Sequence, residues 1–519
     1  MLGRLLWVDD EIDLLRAHII FLQKRDYDVT TCSNGTDALE LCRQQAFDLI
    51  LLDENMPGLS GLETLDAIKD VCPATPVVMV TKNEAEDLMD QAIGAKIADY
   101  LIKPVNPTQI LLTLKKNIHQ REIRQSETER GYREAFQRIG MQISDSLSLD
   151  EWKELYKRLV RWELELAETD GDTGPMAEML RMQKEEANQA FAKYVKNNYE
   201  DLIPLRPGSD GPLTSPAVFR TQVFPRLSAG RKVFLLVLDN FRFDQWRMLS
   251  EELADDFDIS EDLYLSILPT ATQYARNAIF SGLMPLQIKE MYPHLWIDEE
   301  EDESKNQNEE ELIRLQLERF RRKETFTYHK LNDSVQADRL LSQWKQVMGD
   351  APLHVLVVNF IDILSHARTE SKMVRELAGG EAAYRSITLS WFRHTPIKEI
   401  FRQLAAEDYD ILITTDHGSI RVDEPTKVVG DRNVNTNLRY KLGKNLNSSS
   451  KQLYWIERPQ DFGLPLLNVS TQYAFCGGHD FFAYPNNYNY YVQYYKDTFQ
   501  HGGISLEEML IPLITLFPR

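Results

Sequence analysis

The sequence predicts an α/β protein in which two regions of alternating strands and helices flank a purely helical segment. Short apolar runs alternate with amphipathic stretches at both ends of the chain, which indicates parallel sheets covered by helices. The middle of the chain lacks the strand pattern and keeps a helical spacing of apolar residues. With 519 residues, the chain is long enough for about three domains of roughly 100–200 residues each.

Composition narrows the class of protein. Hydrophobic residues make up 43% and charged residues 27% of the chain, as in globular proteins. The longest apolar run, Val233 to Leu238, is too short to span a membrane. Asp9, Asp10 and Glu11 interrupt any signal peptide, and four scattered cysteines without a CxxC pair fit a reducing, cytoplasmic location. A net charge of −21 opposes binding to long duplex DNA, although a local pocket for one or two phosphates remains compatible with it.

The first region, residues 1–118, has four recognisable strand signals, followed at their ends by polar side chains. Asp9 and Asp10 follow the first predicted strand, Asp53 ends the third, and Thr81 and Lys103 end the fourth and fifth. Because the carboxyl ends of parallel strands meet at one edge of a sheet, we expect these side chains to lie together. Clustered carboxylates repel one another unless a hard cation such as Mg²⁺ joins them, and a lysine there is suited to pair with a phosphoryl oxygen.

This spacing resembles the receiver domain of bacterial response regulators, a parallel-sheet domain of the flavodoxin-like type. The resemblance implies that Asp53 accepts a phosphoryl group from a sensor histidine kinase. It also implies that Asp10, Asp53 and the backbone carbonyl of Asn55 hold Mg²⁺, with Asp9 helping through water. The implied switch residues are Thr81, Tyr100 and Lys103. Lys82 departs from the pattern, because many receivers have a small residue at that position.

The middle region, residues 119–205, predicts a three-helix bundle whose first helix continues out of the receiver. Ser148 and Glu151 form a capping box, and apolar residues then recur at three- and four-residue steps from Trp152. Pro175 suits the first turn of a further helix. We interpret the bundle as a spacer, followed by a linker rich in proline and glycine, with the third domain at residues 206–519.

The third region again places chemically active side chains after strands. Asp239 follows the strand Val233 to Leu238, and a Pro-Thr-Ala-Thr segment ending at Thr272 follows another. Asp362, with His366 one helical turn later, and Asp416 with His417 follow two more. Imidazole combined with carboxylate is a typical set of zinc ligands. We therefore expect a metal site at this sheet edge.

These residues resemble the PglZ-type branch of the alkaline phosphatase superfamily, which has an α/β domain. The resemblance implies one zinc on Asp239, Thr272, Asp416 and His417, and a second on Asp362, His366 and a late histidine. His501, in a His-Gly-Gly segment, is favoured for the last position over His479. The implied nucleophile is Thr272, with Thr270 as the alternative.

Several further segments have two interpretations each. Arg276 contacts the substrate phosphate or pairs with a neighbouring carboxylate. The basic segment from Lys427 to Lys451 is read as a lid that grips substrate, through residues that include Arg432, Arg439 and Lys441. The run from Asp298 to Glu311, with nine carboxylates, predicts an exposed insertion. The aromatic run from Phe481 to Phe499 predicts packed strand surface rather than base stacking.

Receiver, bundle and PglZ-type domain together resemble the PorX-like regulators of type IX secretion. That resemblance implies a response regulator whose output is a zinc-dependent phosphodiesterase for nucleotides or short oligonucleotides, and which forms a homodimer on phosphorylation. The alternative is a binding module that contacts a sigma factor or a secretion component, with structural zinc. A phosphomonoesterase is a third possibility.

Overall fold

The computed structural model describes residues 2–73, 75–82, 97–169, 174–203, 211–298, 306–370, 380–430, 435, 437–483 and 487–519. The chain forms two compact units. The first comprises Met1–Ala135 and Glu165–Met176, and the second Phe136–Leu164 and Ala177–Arg519. Within the described residues, no helix has the length and apolar composition that crossing a bilayer requires.

The first unit contains a five-stranded parallel sheet in the order β2-β1-β3-β4-β5. Apolar side chains pack on both of its faces, as expected for a parallel sheet covered by helices. The strand order reverses beside β1, so that a crevice forms at the carboxyl ends of β1 and β3. The strands are β1 (Gly3–Val8), β2 (Tyr27–Cys32), β3 (Leu49–Asp53), β4 (Val77–Thr81) and β5 (Asp99–Ile102). The helices are Ile12–Leu15 (3₁₀), Arg16–Gln23, Gly35–Gln44 and Gly61–Val71.

Three helices form the middle of the chain, as predicted: Pro107–Ser144, Leu149–Thr169 and Pro175–Leu202. The capping box is present, since Ser148 N–H donates to Glu151 (2.8 Å) and Glu151 N–H donates to Ser148 Oγ (3.4 Å). The predicted boundary at residue 118 lies inside the first of these helices. The second and third of these helices belong largely to the second unit. Asn188, on the third helix, is one of the residues that attach it to this unit. Its buried side-chain amide donates a hydrogen bond to Glu507 (3.0 Å) and accepts one from Leu506 N–H (2.8 Å).

A six-stranded sheet forms the centre of the second unit, in the order β7-β18-β10-β6-β9-β8. Its strands are β6 (Val233–Leu238), β7 (Phe257–Leu265), β8 (Phe326–Leu331), β9 (Leu353–Val358), β10 (Asp410–Thr414) and β18 (Leu510–Pro518). β18 is antiparallel to both of its neighbours, whereas β10, β6, β9 and β8 are parallel to one another. β7 therefore runs in the same direction as these four, and the carboxyl ends of five strands share one edge.

Smaller sheets and helices complete the second unit. The small-sheet strands are β11 (Ile420–Val422), β12 (Glu424–Lys427), β13 (Tyr440–Gly443), β14 (Tyr454–Ile456), β15 (Gln472–Phe475), β16 (Asp480–Ala483) and β17 (Thr498–Gln500). The 3₁₀ helices are Ser215–Ala217 and Pro459–Phe462, and Phe219–Val223 is a π-helix. The α-helices are Phe224–Ser228, Phe243–Ser250, Thr272–Ser281, Pro285–Met291, Glu309–Arg319, Ser334–Ser342, Trp344–Met348, Phe360–Glu370, Glu381–His394, Ile397–Ala406, Tyr488–Tyr495 and Leu506–Met509.

The aromatic run differs from its prediction. Strand β16 accounts for its first residues, but Tyr488, Tyr490, Tyr491, Tyr494 and Tyr495 lie on the helix Tyr488–Tyr495. On that helix Tyr488, Val492 and Tyr495 pack against a core that contains Ile420 and Phe481. Their spacing of three and four residues is the spacing of one helix face, a pattern that the high strand propensity of tyrosine concealed.

Candidate functional site

The first cluster of polar side chains lies at the shared carboxyl edge of the large sheet. Asp239 follows β6, and Asp416 and His417 follow β10. His417 Nε2 is 3.7 Å from Asp239 Oδ1 and 3.7 Å from Asp416 Oδ2. The Thr272 hydroxyl, on the first residue of its helix, is 3.1 Å from the same nitrogen. One atom each of Asp239, Asp416 and His417 lies within 4.8 Å of the others, which is close enough to hold one metal ion.

A second cluster adjoins the first and consists of Asp362, His366 and His501. Asp362 and His366 lie one turn apart on the helix Phe360–Glu370, and His501 directly follows β17. Asp362 lies 3.5 Å from His366 Nε2 and 3.7 Å from His501 Nε2. The rings of His417 and His501 stack with centroids 4.1 Å apart, so the two clusters meet at this pair.

Backbone carbonyls orient the two stacked imidazoles. His417 Nδ1 lies 3.1 Å from Gly418 O, and His501 Nδ1 lies 3.2 Å from Thr270 O. A carbonyl only accepts hydrogen bonds, so Nδ1 carries the proton in each ring. The lone pair of each Nε2 therefore faces the clusters, which is the arrangement by which proteins orient histidine ligands of metals.

The donor set fits divalent metal ions. Asp239 Oδ1 and Asp416 Oδ2 are buried and accept no hydrogen bond from the residues that the structure describes. Burial raises the pKa of both carboxyls, and it lowers the pKa of His417 and brings that of His501 to about 3. Neutral imidazoles beside unsatisfied carboxylate oxygens are the ligands that zinc prefers in hydrolytic sites.

The two candidates for the late histidine occupy different places. His501 lies with Asp362 and His366, as described above. His479 instead contacts Arg421 O through Nδ1, at 2.7 Å. The geometry favours His501 as the third member of the second cluster.

Arg276 pairs with carboxylates. Its guanidinium is almost fully buried and lies 2.9 Å from Asp239 Oδ2 and 2.6 Å from Glu309 Oε1. The sequence left two alternatives for Arg276, contact with a substrate phosphate or pairing with a carboxylate, and the structure shows the pairing. These buried partners occupy Nε and Nη1 of the guanidinium.

Arg439 and Lys441 were predicted from the sequence to lie on a basic lid, but in the structure both are buried. Arg439 is fully buried and donates to Glu508 at 3.1 and 2.7 Å. Lys441 is also buried and donates to Asn435 O at 2.7 Å. Lys441 lies within β13 and Arg439 directly precedes it, and this strand pairs with β15, so these two residues belong to a buried strand and not to an exposed loop. Arg432 lies outside the described residues.

The acidic cluster of the first unit lies at the carboxyl ends of β1 and β3. Asp9 and Asp53 are buried, Asp10 is exposed, and the three can approach one ion. Lys103 Nζ bridges Asp9 (2.9 Å) and Asp53 (3.0 Å). Burial raises the pKa of Asp53, although Lys103 opposes this effect. The residues predicted from the sequence to lie at this sheet edge, Asp9, Asp10, Asp53 and Lys103, do lie close together in the structure.

The remaining predicted receiver residues surround that cluster. Thr81 ends β4 and its hydroxyl donates to Glu54. Tyr100 lies on β5 and is 42% exposed. Asn55 is exposed two residues after β3. Lys82 forms an exposed ion pair with Glu11 at 3.5 Å.

Two polar residues beside the two clusters were not predicted from the sequence. Glu309 belongs to the run read as an exposed insertion, but it is only 1% exposed; residues 299–305 of that run lie outside the described part. The spacing of Glu309, Leu312, Ile313 and Gln316 is that of one buried helix face, and this signal was available. Asn240 has a left-handed backbone (φ 62°) and donates to Asp362 at 3.3 Å. No sequence pattern marks it.

Comparison with known families assigns all three regions. Residues 5–115 match the response regulator receiver domain, residues 122–203 match the PorX response regulator linker domain, and residues 218–516 match the BREX system PglZ alkaline phosphatase-like domain. A receiver domain implies a sensor kinase as its partner. An alkaline phosphatase-like domain indicates a hydrolase of the phosphatase type.

Curated relatives match over a small part of the chain. The alginate biosynthesis transcriptional regulatory protein AlgB of Pseudomonas syringae is 37% identical over 121 residues, which are 23% of this chain and 27% of that protein. The transcriptional regulatory protein ResD of Bacillus subtilis is 34% identical over 112 residues, which are 22% of this chain and 46% of that protein. The chain thus spans about a quarter to a half of the length of these relatives.

Solved structures also match over a small part of the chain. Chemotaxis protein CheY4 of Vibrio cholerae is 30% identical with a TM-score of 0.21, covering 22% of this chain and 97% of that one. A CheY-like receiver domain protein of Methanospirillum hungatei is 27% identical with a TM-score of 0.22, covering 23% of this chain and 96% of that one.

The PglZ match extends over more than half of the 519 residues and contains every member of the two histidine and carboxylate clusters. The receiver and linker matches precede it without overlap. The chain therefore belongs to the PglZ alkaline phosphatase-like family, in the PorX-like arrangement of receiver, linker and PglZ domain.

Proposed function

We propose that the second unit is a zinc-dependent phosphodiesterase with Thr272 as its nucleophile. The observation that carries this proposal is the position of the Thr272 hydroxyl, 3.1 Å from His417 Nε2 and beside two clusters of histidine and carboxylate. Asp239, Asp416 and His417 would hold one zinc together with Thr272, and Asp362, His366 and His501 would hold the second. When bound, such ions lower the pKa of a nearby hydroxyl and neutralise phosphate charge.

The protein's own groups prepare the attack. Thr272 is partly exposed, so its oxygen is open to substrate. It begins the ten-residue helix Thr272–Ser281, whose amino terminus carries partial positive charge and favours a phosphate there. The Thr272 oxygen attacks phosphorus, the ester bond to the leaving group breaks, and water then displaces the threonine in a second step.

The exposure of the clusters indicates the side from which substrate enters. The side chains of Asp239, Asp416 and His417 are at most 4% exposed, whereas that of His366 is 64% exposed. The second cluster is thus the open side of the site, and a diester such as a nucleotide or a short oligonucleotide would approach along it. This opening supports a small or single-stranded substrate, as does the net charge of −21.

We propose a receiver role for the first unit. A sensor histidine kinase phosphorylates Asp53, with Mg²⁺ held by Asp10, Asp53 and the carbonyl of Asn55, and with Asp9 acting through water. Thr81, Tyr100 and Lys103 respond to the phosphoryl group. Phosphorylation favours a homodimer in the cytoplasm and controls type IX secretion. The cluster of Asp9, Asp10 and Asp53 beside Lys103 supports the first part of this proposal.

Hydrolysis of a chromogenic phosphodiester tests the enzymatic proposal. Zinc-loaded wild type should release product, Thr272→Ser should retain part of the rate, and Thr272→Ala should lose it by about 10³-fold or more, because the nucleophile is gone. Thr221→Ala is the matched control, since Thr221 is exposed and its hydroxyl only donates to Ala217 O (2.9 Å). A monoester substrate run in parallel separates a phosphomonoesterase from a diesterase. Zinc-loaded wild type that turns over neither ester would favour the alternative of a binding module for a sigma factor or secretion component.

A further inference from the structure

Arg276 and Glu309 form a buried pair directly behind the first cluster. Arg276 Nη1 lies 2.9 Å from Asp239 Oδ2, and Arg276 Nε lies 2.6 Å from Glu309 Oε1. Both residues are 1% exposed. Burying a charge without a partner costs free energy. Asp239, Arg276 and Glu309 form a row in which Arg276 pairs with both carboxylates, so each of the three charges depends on its neighbour.

The pairing determines which oxygen of Asp239 faces the cluster. Oδ2 is held by Arg276, whereas Oδ1 lies 3.7 Å from His417 Nε2 and accepts no hydrogen bond from the described residues. Turning the carboxyl group would break a charge-assisted hydrogen bond in a buried place. Arg276 therefore presents Oδ1 toward the cluster and limits the rotation of the carboxyl group.

Glu309 holds Arg276 in turn. Glu309 Oε2 accepts a hydrogen bond from Lys330 Nζ (3.0 Å) and another from the Tyr328 hydroxyl. A further anchor is Asn359 Oδ1, which accepts from Arg276 Nη1 at 3.2 Å. The guanidinium is thus fixed from several directions, and none of these bonds comes from the neighbouring turns of its own helix.

We propose that Arg276 and Glu309 are positioning residues that set the affinity and geometry of the first metal site through Asp239. This inference rests on the proposed metal-dependent function. A pure charge argument gives the opposite expectation, since the positive charge of Arg276 lies near a cation site and its removal should tighten metal binding. If position dominates, removal of Arg276 should weaken binding, because Asp239 loses its fixed orientation.

Metal titration of the full-length chain tests the inference. Metal-free protein is titrated with Co²⁺, followed by its visible absorption, and with Zn²⁺ in competition with a chelating dye. Wild type should bind two ions per chain in addition to any ion held by the receiver cluster of Asp9, Asp10 and Asp53, and His501→Gln and Asp416→Asn each remove one ligand and so assign the two sites. We expect Arg276→Gln to weaken the first site by about 10–100-fold and to change its cobalt absorption, while the second site keeps its affinity. Glu309→Gln should act in the same direction with a smaller effect.

Arg231→Gln is the matched control. Arg231 pairs with Asp408 and Asp410 at the opposite end of the strands that carry Asp239 and Asp416, at 3.0 and 2.8 Å. This control should bind both ions as wild type does. Unchanged or tighter binding at the first site in folded Arg276→Gln would overturn the inference and leave the metal-dependent function intact. If Arg276→Gln does not fold, unchanged affinity in Glu309→Gln overturns it. Wild type that binds no metal would overturn the proposed function itself.

Discussion

At the scale of single residues, Lys103 compensates the charge of the receiver's acidic cluster. Its Nζ lies 2.9 Å from Asp9 and 3.0 Å from Asp53, and both carboxylates are almost fully buried. The positive charge of Lys103 offsets the cost of burying two carboxylates so close together. The same lysine is therefore both a structural counter-ion at rest and the proposed partner of a phosphoryl group on Asp53.

Replacing Lys103 should destabilise the first unit. Without Mg²⁺, Lys103→Met leaves two buried carboxylates uncompensated, and we expect a loss of about 3–5 kcal/mol in the free energy of unfolding, measured by urea denaturation. Added Mg²⁺ should restore part of this loss, because it supplies the missing charge.

Lys116 provides the control for that prediction. It pairs with Asp99 at 3.0 Å, but its side chain is 59% exposed. Surface pairs of this kind contribute at most about 1 kcal/mol, so Lys116→Met should change little. Equal losses in the two variants would show that the buried cluster does not need Lys103.

At the scale of elements, parallel strands explain how much of the site was predictable. The residues of the two clusters are spread from Asp239 to His501, yet Asp239, Asp416 and His417 lie within three residues of the end of a parallel strand, and Asp362 lies in the first turn of the helix after β9. Apolar runs mark strands in the sequence, and parallel strands bring their carboxyl ends together. The site was therefore predictable from local patterns, although its members are distant in the chain.

Other features depend on partners that no local pattern reveals. Arg439 looked like a lid cation, because its partner Glu508 lies 69 residues away and is equally buried. Glu309 looked solvated, because its neighbours in sequence are acidic while Arg276 lies 33 residues earlier. A charged residue gives the same local signal whether it faces water or a buried counter-ion, so burial of charge follows only from the tertiary structure.

Two middle-region residues, Glu163 and Lys184, take part in a buried ion network of the second unit. Glu163 lies 2.7 Å from both Lys184 and Arg385, and Lys184 lies 3.2 Å from Glu507. Burial alone raises the pKa of Glu163, but Lys184 and Arg385 outweigh it and hold the pKa well below its usual range. The same balance, with Lys184 opposing burial, lowers the pKa of Glu507.

This network gives a pH dependence with a definite sign. A carboxyl whose pKa is lower in the folded state stabilises the fold above its unfolded pKa, near 4.3 for glutamate, and loses that contribution as the pH falls through the folded pKa. We expect Glu163→Gln to lower the free energy of unfolding by about 2–3 kcal/mol at pH 7, since two charge-assisted bonds weaken. The difference from wild type should shrink as the pH falls from about 5 to 3.

Urea denaturation at a series of pH values measures this difference. Glu154→Gln is the control, because Glu154 pairs with Lys157 at 2.9 Å on the same helix while its own side chain is 66% exposed. Its effect should be small at every pH. A difference for Glu163→Gln that stays constant down to pH 3 would contradict the assignment of the effect to ionisation.

At the scale of the whole molecule, the two units contain separate ligand sites. The acidic cluster around Asp53 lies within the first unit, and both histidine clusters lie within the second. A ligand that binds only the folded form of one unit stabilises that unit by about 2.7 kcal/mol at a concentration of 100 times its dissociation constant. Thermal unfolding can therefore report on each site separately.

We expect two calorimetric transitions that respond to different ligands. Beryllofluoride with Mg²⁺, which mimics a phosphoryl group on aspartate, should raise the transition temperature of the first unit, and Asp53→Asn should remove this shift. Zinc should raise the other transition, and Asp416→Asn should remove that shift. A single transition moved by both ligands would contradict this independence. Regulation of the proposed phosphodiesterase that acts through binding should appear as a change in zinc or substrate affinity when beryllofluoride is bound, and by linkage zinc or substrate must then change the beryllofluoride affinity by the same factor.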